Sequence, residues 1–298
     1  MDKIIKTEKQ VCRKVETKNT GAASRKGVLN SMKKFGKIIA CALVAAASVS
    51  AVAGFAACSD DQETVTLSGS TSVYPLMEVL AEAYMEDNDV KIVVNGGGSG
   101  VGLSDAQQGN NDIGMISKAF DSATYTTLSY VNLCTDGIAL ITNSSCTVTN
   151  VTADELVALY TAGTAIQNTI TTAVGRDSGS GTRSAFDELV GIEDSYVSGV
   201  SEIAETGNVI SAIQGNSAGN TIGYVSAGSV GSTSGIKTLQ YAGVDCTTAN
   251  VKSGDYALSR PFNLVYRTGD ISDAAQAFLT WLVSSDAQSI ISSEGYVL

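Results

Sequence analysis

The chain has 298 residues, 44% of them hydrophobic and 6% aromatic, a globular composition long enough for two domains of ordinary size. It contains no histidine, which excludes Ser-His-Asp and Cys-His catalysis and most transition-metal sites. The net charge of −11 falls to −19 (8 basic, 27 acidic) once residues 1–57 are set aside. Nucleic acid is therefore excluded as a partner, and an anion can be held only by a few local groups.

Met32-Lys33-Lys34-Phe35-Gly36-Lys37 is basic, and Ile38 to Ala57 is apolar and rich in small residues, ending at Phe55-Ala56-Ala57-Cys58. A basic region, an apolar stretch and small residues before a cut mark an export signal. The cysteine after the cut resembles a bacterial lipoprotein signal, with Cys58 as the lipidated first mature residue, although Phe55 is unusual three places before it. The alternative is a transmembrane anchor, since the run is about long enough to span. Residues 1–31 precede a signal start at Met32 and are set outside the fold. Cys134, Cys146 and Cys246 follow the signal. In an oxidising setting one pair and one free thiol are expected. The sequence does not give the pairing, and no cysteine shows metal-ligand spacing, so neither metal nor cofactor is expected.

After a polar tether, Ser59 to Glu63, the residues Thr64 to Leu67 read as a strand. The small-residue loop Ser68-Gly69-Ser70-Thr71-Ser72 follows. Val73, Leu76, Met77, Leu80 and Tyr84 then fall at helical spacing, with Pro75 in the first turn and the N-cap expected among Ser70, Thr71 and Ser72. The unit repeats: strand Val90 to Val94, glycine loop Asn95 to Gly102, helix Leu103 to Gly109, strand Asp112 to Ser117. Two β–loop–α units imply a parallel sheet with both loops at its carboxyl edge, where open α/β sheets bind ligands.

Asp136 to Thr142 is a further apolar strand, and Thr152-Ala153-Asp154-Glu155 opens a helix carrying Leu156, Leu159 and Tyr160 on one face. A β-branched run, Thr169 to Val174, leads into Arg176-Asp177-Ser178-Gly179-Ser180-Gly181-Thr182-Arg183 and a helix over Ser184 to Val190. Thr221 to Val225 is a short strand. Tyr256 to Tyr266 is extended, and its Pro261 predicts an edge or a crossing between domains. Helices over Ser272 to Val283 and Ser285 to Ile291 close the chain.

Three small-residue loops thus stand between a strand and a helix. Helix starts offer free N–H groups and a favourable dipole to an anion, and each loop adds hydroxyl donors. Arg176 adds a charged, bidentate-capable contact. Taken singly, each loop is equally an ordinary exposed turn, and the Gly96 to Gly102 loop lacks the Gly-Lys-Ser/Thr ending of a nucleotide P-loop.

As an ordered set the motifs carry more. Gly69-Ser70-Thr71-Ser72-Val73-Tyr74-Pro75-Leu76, Gly97-Gly98-Ser99-Gly100, Asp112-Ile113-Gly114-Met115, Asp136-Gly137-Ile138-Ala139, Arg176 to Arg183, Ile222-Gly223-Tyr224-Val225 and Ser259-Arg260-Pro261 together resemble the phosphate-binding proteins (PstS family) of bacterial phosphate ABC transporters. The resemblance covers nearly all of 65–298. It implies an α/β type II periplasmic-binding-protein fold, two lobes hinged by two crossings around an interlobe anion site, with 59–138 and 258–298 as one lobe and 139–257 as the other. It implies capture of inorganic phosphate by a monomer, with no enzymatic activity, and delivery to ABC transporter permease subunits, with Cys58 as the membrane anchor. Another tetrahedral oxyanion (sulfate, molybdate, tungstate), a phosphate-sensing receptor and a Ser180 nucleophile are the rival readings.

Carried over by residue, Thr71, Ser72 and Ser99 serve the first lobe's loops, and Arg176, Ser180, Gly181 and Thr182 the second's. Some family members place an aspartate after the Asp-x-Gly strand to accept the phosphate proton; here Ser117 stands there, followed by Lys118. The acceptor is then a hydroxyl, a backbone carbonyl or another carboxylate such as Asp112, although Asp112 reads better as a strand or turn residue. Lys118 reads equally as a point charge toward the anion or as a solvated lysine. Arg183 reads as a surface partner of Asp187 at i+4.

Overall fold

The computed structural model of the chain describes residues 62–193, 195–231 and 233–298. The export signal, Cys58 and residues 59–61 of the tether lie outside them. Strand β1 (Glu63–Gly69) pairs in parallel with β2 (Val90–Gly96) through the crossover helix α1 (Tyr74–Asp87). Helix α2 (Ser99–Gln108) leads back to β3 (Ile113–Ile116), parallel to β1 on its other side. Both loops of this double unit therefore open at the same sheet edge.

The long strand β4 (Leu128–Asn143) follows, then β5 (Asn150–Val151), α3 (Ala153–Ala162), β6 (Thr172–Arg176) and α4 (Gly181–Val190). Next come β7 (Ser201–Ile203), α5 (Thr206–Gly215), β8 (Thr221–Ser226), a 3-10 turn (Ala227–Ser229), β9 (Ile236–Tyr241) and α6 (Thr248–Ser253). The chain ends with β10 (Ser259–Arg267), α7 (Asp273–Leu282) and α8 (Ser285–Ser293). The strand order is β2-β1-β3-β10-β4-β8-β6-β7, with β9 beside β4 and β5 beside β9.

β4 is the spine. Leu128 to Gly137 pair with β10, and Ile138 to Thr142 pair with β8, both antiparallel. Ile138 and Leu140 enter one core with Tyr160, Phe186 and Tyr224, while Ala139 and Ile141 enter another with Val209 and Ile213. That alternation is what a strand covered on both faces requires. The other half of the sheet has its own core, built from Val65 and Leu67 of β1, Leu76, Met77 and Leu80 of α1, and Phe278 and Leu279 of α7.

Several expectations are corrected. The N-cap of α1 is Val73, without a side-chain cap, so the hydroxyls of Ser70, Thr71 and Ser72 are turned to other partners. α2 begins at Ser99, because Gly98 takes φ +92°, ψ 158°, an extended positive-φ conformation that glycine accepts without strain. Pro261 is not on an edge, since β10 lies between β3 and β4. It precedes both the β3 ladder, which starts at Asn263, and the register shift at Phe262/Asn263, where a missing N–H is tolerated. The three cysteines among the described residues are free: Cys134 sits in the core of β1, α1 and α7, Cys146 in the core of Ile138 and Leu140, and Cys246 packs against that same core. β7, α5, β9 and α6 have no clear sequence signal. α5 opens Thr-Gly-Asn, a poor helix former, and is held by burial of Val209 and Ile213.

Candidate anion-binding site

Five chain segments bring hydroxyls to one place: the loop after β1, the start of α2, the residue after β3, the start of α4 and the start of α5. Ser72 Oγ is 2.8 Å from Thr182 Oγ1, and Thr71 Oγ1 is 3.1 Å from Thr206 Oγ1. Ser70 Oγ donates to Ser117 Oγ at 2.9 Å, and Ser117 Oγ lies 3.4 Å from both Ser99 Oγ and Thr182 Oγ1. All seven residues are buried. The two halves of the sheet also meet through their backbones, Gly100 N–H donating to the Gly179 carbonyl at 3.0 Å. Gly181 is required there, because a Cβ would collide with Ser99 Oγ and press on Ser117 Oγ.

Arg176, at the end of β6, is 1% exposed. Its Nη2 donates to Thr71 Oγ1 at 2.9 Å and its Nη1 to Thr206 Oγ1 at 3.2 Å. Nε donates to the Ile203 carbonyl at 3.0 Å, and Nη2 also to the Ala204 carbonyl. Among the described residues no carboxylate lies within ion-pair distance of it. Burial pulls its pKa below the ordinary arginine value, with Tyr224 and Asp177 pulling it back, and a guanidinium keeps its proton throughout.

The bonding directions fix what the ring can do. Thr71 and Thr206 each accept from Arg176, Thr182 accepts from Arg260 Nη2 at 3.2 Å, Ser99 accepts from Ser117 N–H at 3.1 Å, and Ser70 accepts from Ser72 N–H at 3.2 Å. Each of these hydroxyls has an N–H at one lone pair, so its proton is turned elsewhere: Ser70 gives its proton to Ser117 Oγ, and the others direct theirs to a neighbouring hydroxyl or to a ligand. Gly181 and Thr182 open α4 and Thr206 opens α5, so their backbone N–H groups have no intrahelical acceptor. A buried, uncompensated cation among convergent donors is suited to a small, multiply charged anion.

A family model described as the PBP superfamily domain matches residues 56–286. The chain belongs to the PBP superfamily. Among its relatives, the phosphate-binding protein PstS of Bacillus subtilis is 28% identical over 245 residues, 78% of this chain and 80% of that protein. PstS 2 of Streptococcus agalactiae is 36% identical over 129 residues; that match spans 42% of this chain and less than half, 44%, of the relative's own length. A Clostridium perfringens protein, assigned as a phosphate ABC transporter substrate-binding protein and solved with bound phosphate, superposes with a TM-score of 0.74 at 33% identity, over 79% of this chain and 99% of that one. The α/β periplasmic-binding-protein fold implied by the motifs is the fold this PBP-superfamily chain has.

Within that fold the expected site residues fall into one cluster. Thr71, Ser72, Ser99, Ser117, Arg176 and Thr182 are joined by the hydrogen bonds above together with the 3.5 Å contact of Ser72 Oγ with Thr206 Oγ1, and Gly181 abuts Ser99. Ser180 stands slightly apart, its Oγ capping α4 by accepting from Arg183 N–H at 3.3 Å. Arg183 turns away, with Nε 3.4 Å from Asp187 and Nη1 2.7 Å from Glu202. Asp112 accepts from Thr66 N–H and Oγ1, both at 2.8 Å, as a strand ligature. Lys118 is half-buried, and its carbonyl accepts from Asn263 Nδ2 at 2.9 Å. Sequence reasoning missed Thr206, Ser70 and Arg260. Ser70 and Arg260 stood in quoted motifs, and Thr206 precedes Val209 and Ile213 at helical spacing.

Proposed function

We propose that the protein is an extracellular solute-binding protein that captures inorganic phosphate and passes it to the permease of an ABC transporter. The observation that carries this reading is Arg176: a buried guanidinium with no carboxylate partner among the described residues, aimed at hydroxyls from both halves of the sheet. An anion of high charge density completes that balance. The likeness to phosphate-binding relatives of Bacillus subtilis and Clostridium perfringens supports phosphate as that anion. Thr71, Ser72, Ser99, Ser117, Ser180, Gly181 and Thr182 supply hydroxyl and amide donors.

In this reading the half-sheets are two lobes, residues 59–138 with 258–298 and residues 139–257, and β4 is one of the crossings on which they hinge. The chain is exported as a monomer, anchored by lipid on Cys58 at the outer face of the membrane, and is not an enzyme: its serines have no histidine base, and binding alone accounts for the site. Calorimetric titration of the mature chain, freed of co-purified ligand, tests the function. Heat with phosphate at micromolar concentration is expected, and its absence would overturn the reading.

A further inference from the structure

Arg260 lies on β10 and is 2% exposed. Its Nη2 donates to Thr182 Oγ1 at 3.2 Å and stands 3.3 Å from Asp136 Oδ2 on β4. Thr182 Oγ1 is in turn 2.8 Å from Ser72 Oγ and 3.4 Å from Ser117 Oγ. The guanidinium therefore touches the ring directly, through Thr182. Arg176 meets the ring at Thr71 and Thr206, and Arg260 meets it at Thr182. The two charges feel each other: Arg260 is among the groups that pull Arg176 down.

The Asp136–Arg260 pair is poorly built for structural duty alone. A buried ion pair repays its desolvation when the fork is bidentate and the remaining donors are bonded. Here Arg260 Nε and Nη1 and Asp136 Oδ2 have no hydrogen-bond partner among the described residues, and the guanidinium rests over the Phe262 ring at 5.2 Å. Burial pushes the Asp136 carboxyl up to about 6, outweighing Arg260, whose charge draws it down. Above about pH 6 the carboxylate is charged, but it meets Arg260 through a single 3.3 Å contact and so masks that charge only in part.

We propose that Arg260 is a positioning residue of the anion site: it holds Thr182 as a proton donor and brings a second positive charge, partly masked by Asp136, to the anion that Arg176 meets. This rests on the reading of the ring as a phosphate site. A structural ion pair would lose binding alike when either partner is removed. A masked cation requires opposite signs.

The test is calorimetric titration with inorganic phosphate of the full mature chain and of the variants Arg260→Gln, Arg260→Lys, Asp136→Asn and Thr182→Val, each checked by ligand-free melting. Wild-type binding alone decides the phosphate reading; the variants, measured relative to it, decide this one. Arg260→Gln should weaken phosphate about tenfold or more, the loss of a hydrogen bond from a charged donor. Arg260→Lys should recover part of that loss. In the Thr182→Val background Arg260→Gln should cost less, because the hydroxyl it orients is gone. Asp136→Asn should bind phosphate more tightly than wild type at pH 8. Weaker binding by Asp136→Asn, or unchanged binding by Arg260→Gln, would overturn the proposal. Should Arg260→Gln fail to fold, the sign of the Asp136→Asn change decides it.

Discussion

Arg176 Nη2 donates to Thr71 Oγ1 at 2.9 Å, a bond from the end of β6 to the loop after β1, and so from one half of the sheet to the other. The residue that carries the site's main charge is thereby also a latch between the halves. Arg176→Ala removes both roles. Phosphate affinity should fall by roughly 2–5 kcal/mol, the cost of removing one partner of a buried charge pair, as read by calorimetric titration. Unchanged affinity would place the anion elsewhere.

Gly181 is the point where α4 faces Ser99 and Ser117 with no room for a side chain. Gly181→Ala forces the two apart. Phosphate binding should weaken by about 1–3 kcal/mol, as for other overpacked sites. Equilibrium dialysis with labelled phosphate checks this, and retained affinity would mean that α4 and α2 do not close on one another around the ligand.

The motif resemblance puts Ser117 at a position where some phosphate-binding proteins carry an aspartate, and the ring's hydrogen bonds, among the described residues, involve no carboxylate. Discrimination between phosphate and fully ionised sulfate then falls to hydroxyl oxygens. Ser117→Asp supplies an acceptor that is left unpaired by sulfate. Sulfate should compete less well with phosphate in this variant, and phosphate affinity should rise as pH falls from 8 to 6. A competition titration with no gain in selectivity would show that another group reads the proton.

Asp136 gives a pH signature to stability. Its carboxyl is raised on folding from 3.8 to about 6, by burial first, against the pull of Arg260 and of the nearby polar groups of Ser226, Gly228 and Ala227, of which Gly228 N–H donates to Oδ1 at 3.5 Å. Cys134, Cys246, Tyr256 and Tyr296 are the other ionisable groups in its field. Between these two values the folded state binds more protons than the unfolded state, so stability falls as pH rises. The Asp136 contribution is fully present below the unfolded value and is lost by pH 6, a change of about 3 kcal/mol. Urea denaturation at pH 4, 5, 6 and 7 should show this slope in the wild type and its loss in Asp136→Asn. Equal slopes would mean that Asp136 is ionised over the whole range.

The sequence by itself determined the alternation of strand, small-residue loop and helix, because period-2 and period-3.6 patterns and glycine loops are local properties. The order of those motifs resembled a phosphate-binding family, from which Thr71, Ser99, Arg176 and Thr182 carry over as expected donors, and the i+4 spacing alone set Arg183 beside Asp187 on one helix. The capping box of α3 was equally legible, since Thr152 and Glu155 meet within one turn. Only the tertiary structure decided which loops meet. Thr206 joins the ring because β6 and β7 place the start of α5 beside Arg176, and α5 itself is held by packing that overrides its weak propensity. Arg260 and Asp136 are 124 positions apart in the chain and become partners through the register of β10 on β4. A register between distant strands depends on how two cores pack, and no local pattern encodes it.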